Sequence, residues 1–561
     1  MPKERVHPGI EQSLQHLHEG RVSRREFLRV ATLLGMSLPA ATLLASCGTA
    51  LTPVPNPAAS TSGAIKRGGV LRVGMQIPMA DHPARLIQVA GSNIFRLVFE
   101  YLTETGPDNI TRPQLLAGWE ANDDLTTWTL NVKPGITWTN GDELIADHIV
   151  YNFNEWLNPD VGSSILGLWD GFLDPSGIEV VDQYTLRLNL QAPKLDVPET
   201  LYHHPALIMH PSFNGDITTG QNPSTGPYLL ESYRVGENAR IVARTDGGYW
   251  QVGVDDAPLP YLDAIEYISL GDEQVAYVAA LQAGEIDTIM QPTVETWEAL
   301  RDNVNVAIYS VDTGQTRVLR MRTDLAPWDN VNVRNALKKC QDHAKIVEIA
   351  LNNQGLPGQD FHVSPVHPEY APITTPTYDP EGARALLTQA GYADGLDVEI
   401  AVGSGWPDVV NYIETLQQDA APAGINITLN TMPNTTYWEQ WKEVAVGVTP
   451  WAHRPLAITM LAIAYIADDA GEPVAWNETR WNDAEFNQLV KQAQGTLDVE
   501  ARRQLMGDIQ RIMQERGAIG VPYWMRVWEV FNPAFQDVVA HPTQFSQWQR
   551  IWYDPERDPR G

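Results

Sequence analysis

A pair of arginines near the N-terminus constrains how this chain must fold. Ser23-Arg24-Arg25-Glu26-Phe27-Leu28-Arg29 has the form of a twin-arginine export signal, with an apolar run over 30–45 behind it. That route carries proteins already folded, so the fold must close before export, by packing rather than by disulfides. Cysteine usage agrees, because the chain has two, Cys47 and Cys340. Cys47 follows Leu44-Ala45-Ser46 in the pattern of a bacterial lipobox, which predicts cleavage before Cys47 and acylation of its thiol. Two acyl chains plus an N-acyl group meet the requirement of more than one lipid for stable anchoring. Cys340 is then left without an intramolecular partner. A single membrane-spanning helix over 30–46 is the competing reading; its length and its Gly, Pro and Ser content count against it.

The chain has 561 residues, enough for two or three domains with large cores. Up to Cys47 there are six Lys/Arg and four Asp/Glu, which leaves 33 positive and 65 negative charges, a net of −32 before histidine. Such an acidic surface argues against nucleic acid and against electrostatic adhesion to anionic lipid. Residues 48–66, rich in Thr, Pro, Ser and Ala, read as a flexible spacer. Order is predicted to begin at Gly68-Gly69 and the strand 70–74. Alternation predicts strands over 128–132 and 184–190, with Lys133-Pro134-Gly135 and Asn140-Gly141-Asp142 as turns. Helices are predicted over 146–156, 333–351, 379–390, 484–494 and 499–515. Strands and helices alternate without a short repeat, an α/β or α+β pattern.

Several of these blocks resemble one family in order along the chain. Leu115-Leu116-Ala117-Gly118-Trp119-Glu120, Thr127-Trp128-Thr129-Leu130, Lys133-Pro134-Gly135, Asn140-Gly141 and 146–153 match the signature of extracellular solute-binding proteins, family 5, which serve ABC importers. Asn222 to Tyr228, Pro260 to Glu266, Ala280 to Asp287, 331–337 and 378–392 extend the resemblance over nearly all of 67–550. The resemblance implies an α/β fold: a two-lobed periplasmic-binding-protein clamshell (type II, cluster C-like) with an extra domain inserted in lobe one. On that pattern lobe one takes 67–112, 216–310 and 531–561, the inserted domain 113–215, and lobe two 311–530. It also implies a monomer that captures a peptide or similar small solute and docks on an ABC permease, with no cofactor.

Candidate site residues follow from the residues themselves. Asp123-Asp124 and Asp468-Asp469 are acidic pairs that read as turns rather than general acid/base carboxylates. There is no Gly-x-Ser-x-Gly elbow and no phosphate-cradling Gly-rich loop with Lys-Ser/Thr. His203-His204, His210, His362 and His367 lack a metal-ligand frame, so no metal site is expected. The pair His203-His204 is expected in the inserted domain, away from the cleft. The 18 tryptophans all follow the lipobox, and flat rigid rings suit the walls of a solute pocket. Trp406, after the strand 397–402, and Trp451-Ala452-His453-Arg454, at another strand end, are the ligand-binding candidates in lobe two. Asp81 and His82, after the first strand, are the candidates from lobe one. Arg454 carries two open readings: a bidentate grip on a solute carboxylate or phosphate, or an internal salt bridge. In the family's dipeptide binders an aspartate in this part of the chain receives the peptide's amino terminus. Here the segment is Arg454-Pro455-Leu456-Ala457-Ile458-Thr459, with no acid, which sets an ordinary dipeptide apart. An oligosaccharide or opine-like solute, an exported hydrolase and a surface chaperone-like binder are the alternatives.

Overall fold

The computed structural model describes residues 65–560 except 272, 469 and 475. Arg24, Arg25, Cys47 and most of the spacer lie outside the described residues. No helix among the described residues is long and apolar enough to cross a membrane.

The strand Val70–Gly74 buries Leu71 and Val73 completely and pairs in parallel with Ala264–Ile268 and with Thr288–Ile289. It sits within a 12-stranded sheet. From one edge the order is Ile425–Met432, Leu396–Gly403, Val446–Trp451, Ala307–Met321, Tyr523–Phe531, Thr288–Ile289, Val70–Gly74, Ala264–Ile268, Asn238–Ala243 and Tyr228–Arg234, with Gly355–Pro357 on Tyr523–Phe531 and Ile519–Gly520 on Ala307–Met321 off this path. The two long central strands, Ala307–Met321 and Tyr523–Phe531, belong to both halves of this sheet. Ala307 to Asp312 pair with the later strand, the register shifts between Asp312 and Thr316, and Thr316 to Met321 pair with Val446–Trp451. The result is a two-lobed clamshell with one apolar cluster that runs from Leu71, Val73 and Ile265 to Val318, Trp451 and Trp524, and a second under the far end of the sheet. Val398, Ile400, Val448, Ile413 and Leu416 fill the second.

A separate four-stranded antiparallel sheet runs Leu116–Ala121, Thr127–Val132, Thr185–Asn189, Ile178–Asp182. The helix Ala146–Leu157 serves it with an apolar stripe at Ile149, Phe153, Trp156 and Leu157, the i, i+4, i+7, i+8 spacing of a one-faced helix. Phe153 and Trp156 meet ring to edge at 4.9 Å, and Phe153 meets Trp169 at 5.4 Å. On the same face the Asn152 amide accepts from Met209 N–H and donates to Met209 C=O, which ties 206–209 down by two bonds.

The expected helices form over Pro380–Gln389, Ala484–Gln494 and Val499–Arg516. Asp379, Asp483 and Asp498 cap them by accepting from backbone N–H groups one turn in. The single helix expected over 333–351 is instead two, Val331–Lys339 and His343–Leu351. Asp342 is the reason: its carboxylate accepts from Lys345 N–H and starts a second helix. Cys340 ends the first, its thiol buried and pushed up to about 12 by that burial, hence unreactive.

Candidate functional site

Between the lobes lies a cavity of about 260 Å³. Three parts of the chain wall it: Val89, Thr105 and Gln291 with 542–545; Leu168 with Asp196, Glu199, Thr200 and 202–204; and Gln315 with 452–455 and Thr459.

The strand Val446–Trp451 supplies the third wall. It runs parallel to Leu396–Gly403 and antiparallel to Ala307–Met321, and its carboxyl end delivers His453 and Arg454 into the gap. Open α/β sheets place ligands at that end of their strands. His453 is buried with both nitrogens engaged: Nδ1 accepts from Gly314 N–H at 2.8 Å, so Nε2–H donates to Asn109 Oδ1 at 2.8 Å. Burial holds its pKa far below the usual histidine range. Asn109 sits at the tip of the hairpin Thr103–Thr105/Thr111–Pro113, and its Nδ2 donates to Val366 C=O at 3.1 Å. One side chain of this hairpin therefore clasps two distant segments, at Val366 and at His453.

Arg454 is fixed from behind. His367 accepts Ser364 N–H on Nδ1 and donates Nε2–H to Arg454 C=O at 3.0 Å, its ring stacked on His453 at 5.9 Å. The guanidinium itself makes no hydrogen bond and no ion pair among the described residues. Burial lowers its pKa, opposed by the charge of Asp196. Of the two readings of Arg454, the internal salt bridge is not formed among the described residues.

Facing it, both Asp196 oxygens are engaged: Lys194 Nζ donates at 2.8 Å and Thr459 Oγ1 at 3.0 Å. Burial works against that charge, but Lys194 beside it keeps the carboxyl below its usual range. Burial pushes Glu199 up to about 7, and the nearby Asp196 and Glu369 add to the rise. His203 and His204 line the cavity, which corrects the expectation that they lie away from the cleft. The short turn Val197–Thr200 folds 201–204 inward. Their rings are 4.4 Å apart, and His203 Nδ1 and His204 Nε2 are buried without a partner. Burial holds both rings neutral, His204 at about 4.

Phe545 forms an apolar wall, edge-on to Tyr202 at 5.3 Å and backed by the Arg96 guanidinium 3.8 Å from its ring centre. Gln291 and Gln544, hydrogen-bonded side chain to side chain at 3.3 Å, both adopt positive φ, 53° and 58°. Glutamine rarely tolerates that region, and such strain gathers at binding sites. Sequence reasoning missed these three, since nothing local marks them.

The other candidates sit off the cavity. Trp451, on the last residue of its strand, is buried, donates to Glu478 at 3.2 Å and meets His362 edge-on. Trp406 starts the helix Pro407–Ala420 at the same end of the sheet but farther out, against Tyr437 and Trp438. Asp81 is exposed and paired with Arg85 at 2.8 Å. His82 is buried against Phe213 and contacts Glu155 at 3.2 Å. No group of three metal-ligating side chains occurs among the described residues.

Residues 111–459 match the family described as bacterial extracellular solute-binding proteins, family 5 middle. The glutathione-binding protein GsiB of Salmonella paratyphi A is 28% identical over 324 residues, 57% of this chain and 60% of that protein. The chain thus spans about 60% of the length of that relative. Heme-binding protein A of Haemophilus influenzae is 23% identical over 518 residues, 86% of this chain and 92% of the relative. HbpA2 from Haemophilus parasuis shares the fold at a TM-score of 0.75, with 21% identity, over 87% of this chain and 100% of that structure. With the family match covering more than half of its length on a clamshell body, the chain belongs to the bacterial extracellular solute-binding proteins of family 5.

Proposed function

We propose that this chain is the solute receptor of an ABC importer, held outside the cytoplasmic membrane and loaded with a peptide or similar small organic molecule. The observation that carries this reading is a cavity walled from both lobes into which an unpartnered guanidinium, Arg454, projects. Open and closed forms interconvert, and a solute that touches both walls stabilises the closed form by its differential contacts. No bond is made or broken, so the protein acts as carrier rather than catalyst. Energy for transport then comes from the ATP-hydrolysing subunits of the membrane permease on which the closed form docks.

His453 and Arg454 are the ligand-facing residues of this reading. Arg24 and Arg25 serve export, and lipidated Cys47 tethers a monomer to the membrane. Lobe one is drawn from 67–112, 216–310 and 531–561, the insert from 113–215 and lobe two from 311–530. The relatives named for glutathione and heme are consistent with a small organic cargo. Thermal denaturation of the purified chain with peptides, sugars, opine-like acids and Ni²⁺ tests the proposal. A true ligand at about 100 times its Kd adds about 2.7 kcal/mol of stability. Breakdown of a candidate solute, with no shift from any, defeats it.

A further inference from the structure

The charges around the cavity specify more than its size, provided the solute-receptor reading above holds. Arg454 is half-buried and has no ion pair or hydrogen bond on its guanidinium among the described residues; burial disfavours its charge, and only the charge of Asp196 acts against that. A desolvated cation of this kind is stabilised when an anion arrives with the solute. For an ammonium group the cavity offers nothing comparable. The charge of Asp196 is already matched by Lys194, with Thr459 on its other oxygen, and half-buried Glu199 is drawn toward its neutral form by burial and by Asp196 and Glu369. A doubly charged anion fares little better. Lys194, the neighbouring cation, is spent on Asp196, and the two histidines facing the space are neutral. His203 Nδ1 and His204 Nε2 are neutral hydrogen-bonding positions, buried and without a partner among the described residues. Val89, Leu168, Pro455 and Phe545 supply apolar wall, and Gln291, Gln315 and Gln544 add neutral polar groups.

We propose that the cavity takes a small organic acid with a single carboxylate and no ammonium group: the carboxylate on the Arg454 guanidinium, the apolar body against Leu168, Pro455 and Phe545, and a neutral polar group met by His203 or His204. Free dipeptides and amino acids, which bring an ammonium, are the compounds this site turns away.

The test uses matched triplets on the full chain: 3-phenylpropanoate, 3-phenylpropanamide and phenylalanine, then 4-methylpentanoate, 4-methylpentanamide and leucine, with phenyl phosphate alongside. Calorimetric titration and melting curves are read below neutral pH, at up to about 10 mM, a range that captures millimolar binders. The expected result is that the acids bind and raise the melting temperature while their amides and zwitterions do not. Arg454→Gln then weakens acid binding by about 100-fold, and Arg454→Lys, which keeps the charge but loses the fork, by about tenfold. Because the guanidinium has no internal partner, both variants are expected to melt as the parent does; should the glutamine variant misfold, the lysine variant carries the comparison. Equal binding of amides or zwitterions, tighter binding of phenyl phosphate, acid binding that survives Arg454→Gln, or a silent set of acids each overturns the proposal. Peptides and sugars on the same plate separate the two readings. If one of those binds parent and Arg454→Gln alike, the receptor stands and the acid falls. If every class is silent, both fall.

Discussion

Glu199 is the residue through which pH reaches the cavity. Its carboxyl, held near 7 by burial, is neutral in mild acid and ionised in mild base. Thr111, Asp196 and Glu369 border it, and Arg454, His203 and His204 share its cavity. Once ionised, it either repels an incoming anion or competes for Arg454, and both effects weaken capture. Affinity for a carboxylate solute is therefore expected to fall as pH rises through about 7, and Glu199→Gln to flatten that dependence in titrations on either side of neutrality. Legibility at this scale was uneven. His453 and Arg454 could be found because a strand ends beside them, and strand ends at this edge of a sheet face ligands. Trp406 satisfies the same local rule, but it follows a strand one place farther from the centre, and the rings of Tyr437 and Trp438 occupy it. Gln291, Gln544 and Phe545 enter the cavity through backbone conformations and long-range packing that carry no local signature.

Secondary elements were read well wherever one face is apolar and a cap is present. The helix Ala146–Leu157 carries its stripe in the sequence, and Trp156→Ala is expected to cost about 3–5 kcal/mol, measurable by denaturant titration. The break between Val331–Lys339 and His343–Leu351 escaped because apolar periodicity continues through Gln341-Asp342. Only the Asp342 cap exposes it, and Asp342→Ala should destabilise by about 1 kcal/mol in the same assay. The hairpin Thr103–Thr105/Thr111–Pro113 looks like a surface turn in the sequence, yet its tip residue Asn109 reaches Val366 and His453, far along the chain. Asn109→Ala leaves the buried His453 Nε2–H without an acceptor, a penalty of about 1–3 kcal/mol that falls on the closed form. Solute release in stopped-flow measurements should therefore quicken about tenfold, whereas an unfolding defect without faster release would contradict the clasp.

Across the whole molecule, buried titratable groups set the pH range of stability from two sides. His204, His367 and His541 are lowered to about 4 and His362 to about 3, all by burial. The unfolded chain then binds more protons below about 6.5, so these groups remove stability as pH falls toward 4. Burial raises Glu100 and Glu199 to about 7 and Glu529 to about 8. There the folded chain holds the extra protons, so stability declines as pH climbs from about 4.5 to 8. Melting temperature is expected to peak between about 4.5 and 6.5 and to fall on both sides; a rise from 6.5 to 8.5 would contradict the assignment. Between the lobes, the strands Ala307–Met321 and Tyr523–Phe531 run side by side through the register shift at Asp312 and Thr316, with Thr313 and Thr316 donating across to Met525 and Tyr523 carbonyls. A paired ribbon of this kind resists stretching and sliding but yields to twist. Lobe motion is thereby channelled into one angular coordinate. On the proposed receptor reading, a partner at the outer faces receives a single angle and no chemical detail of the cargo, so discrimination among solutes must be completed inside the cavity before that angle is reached.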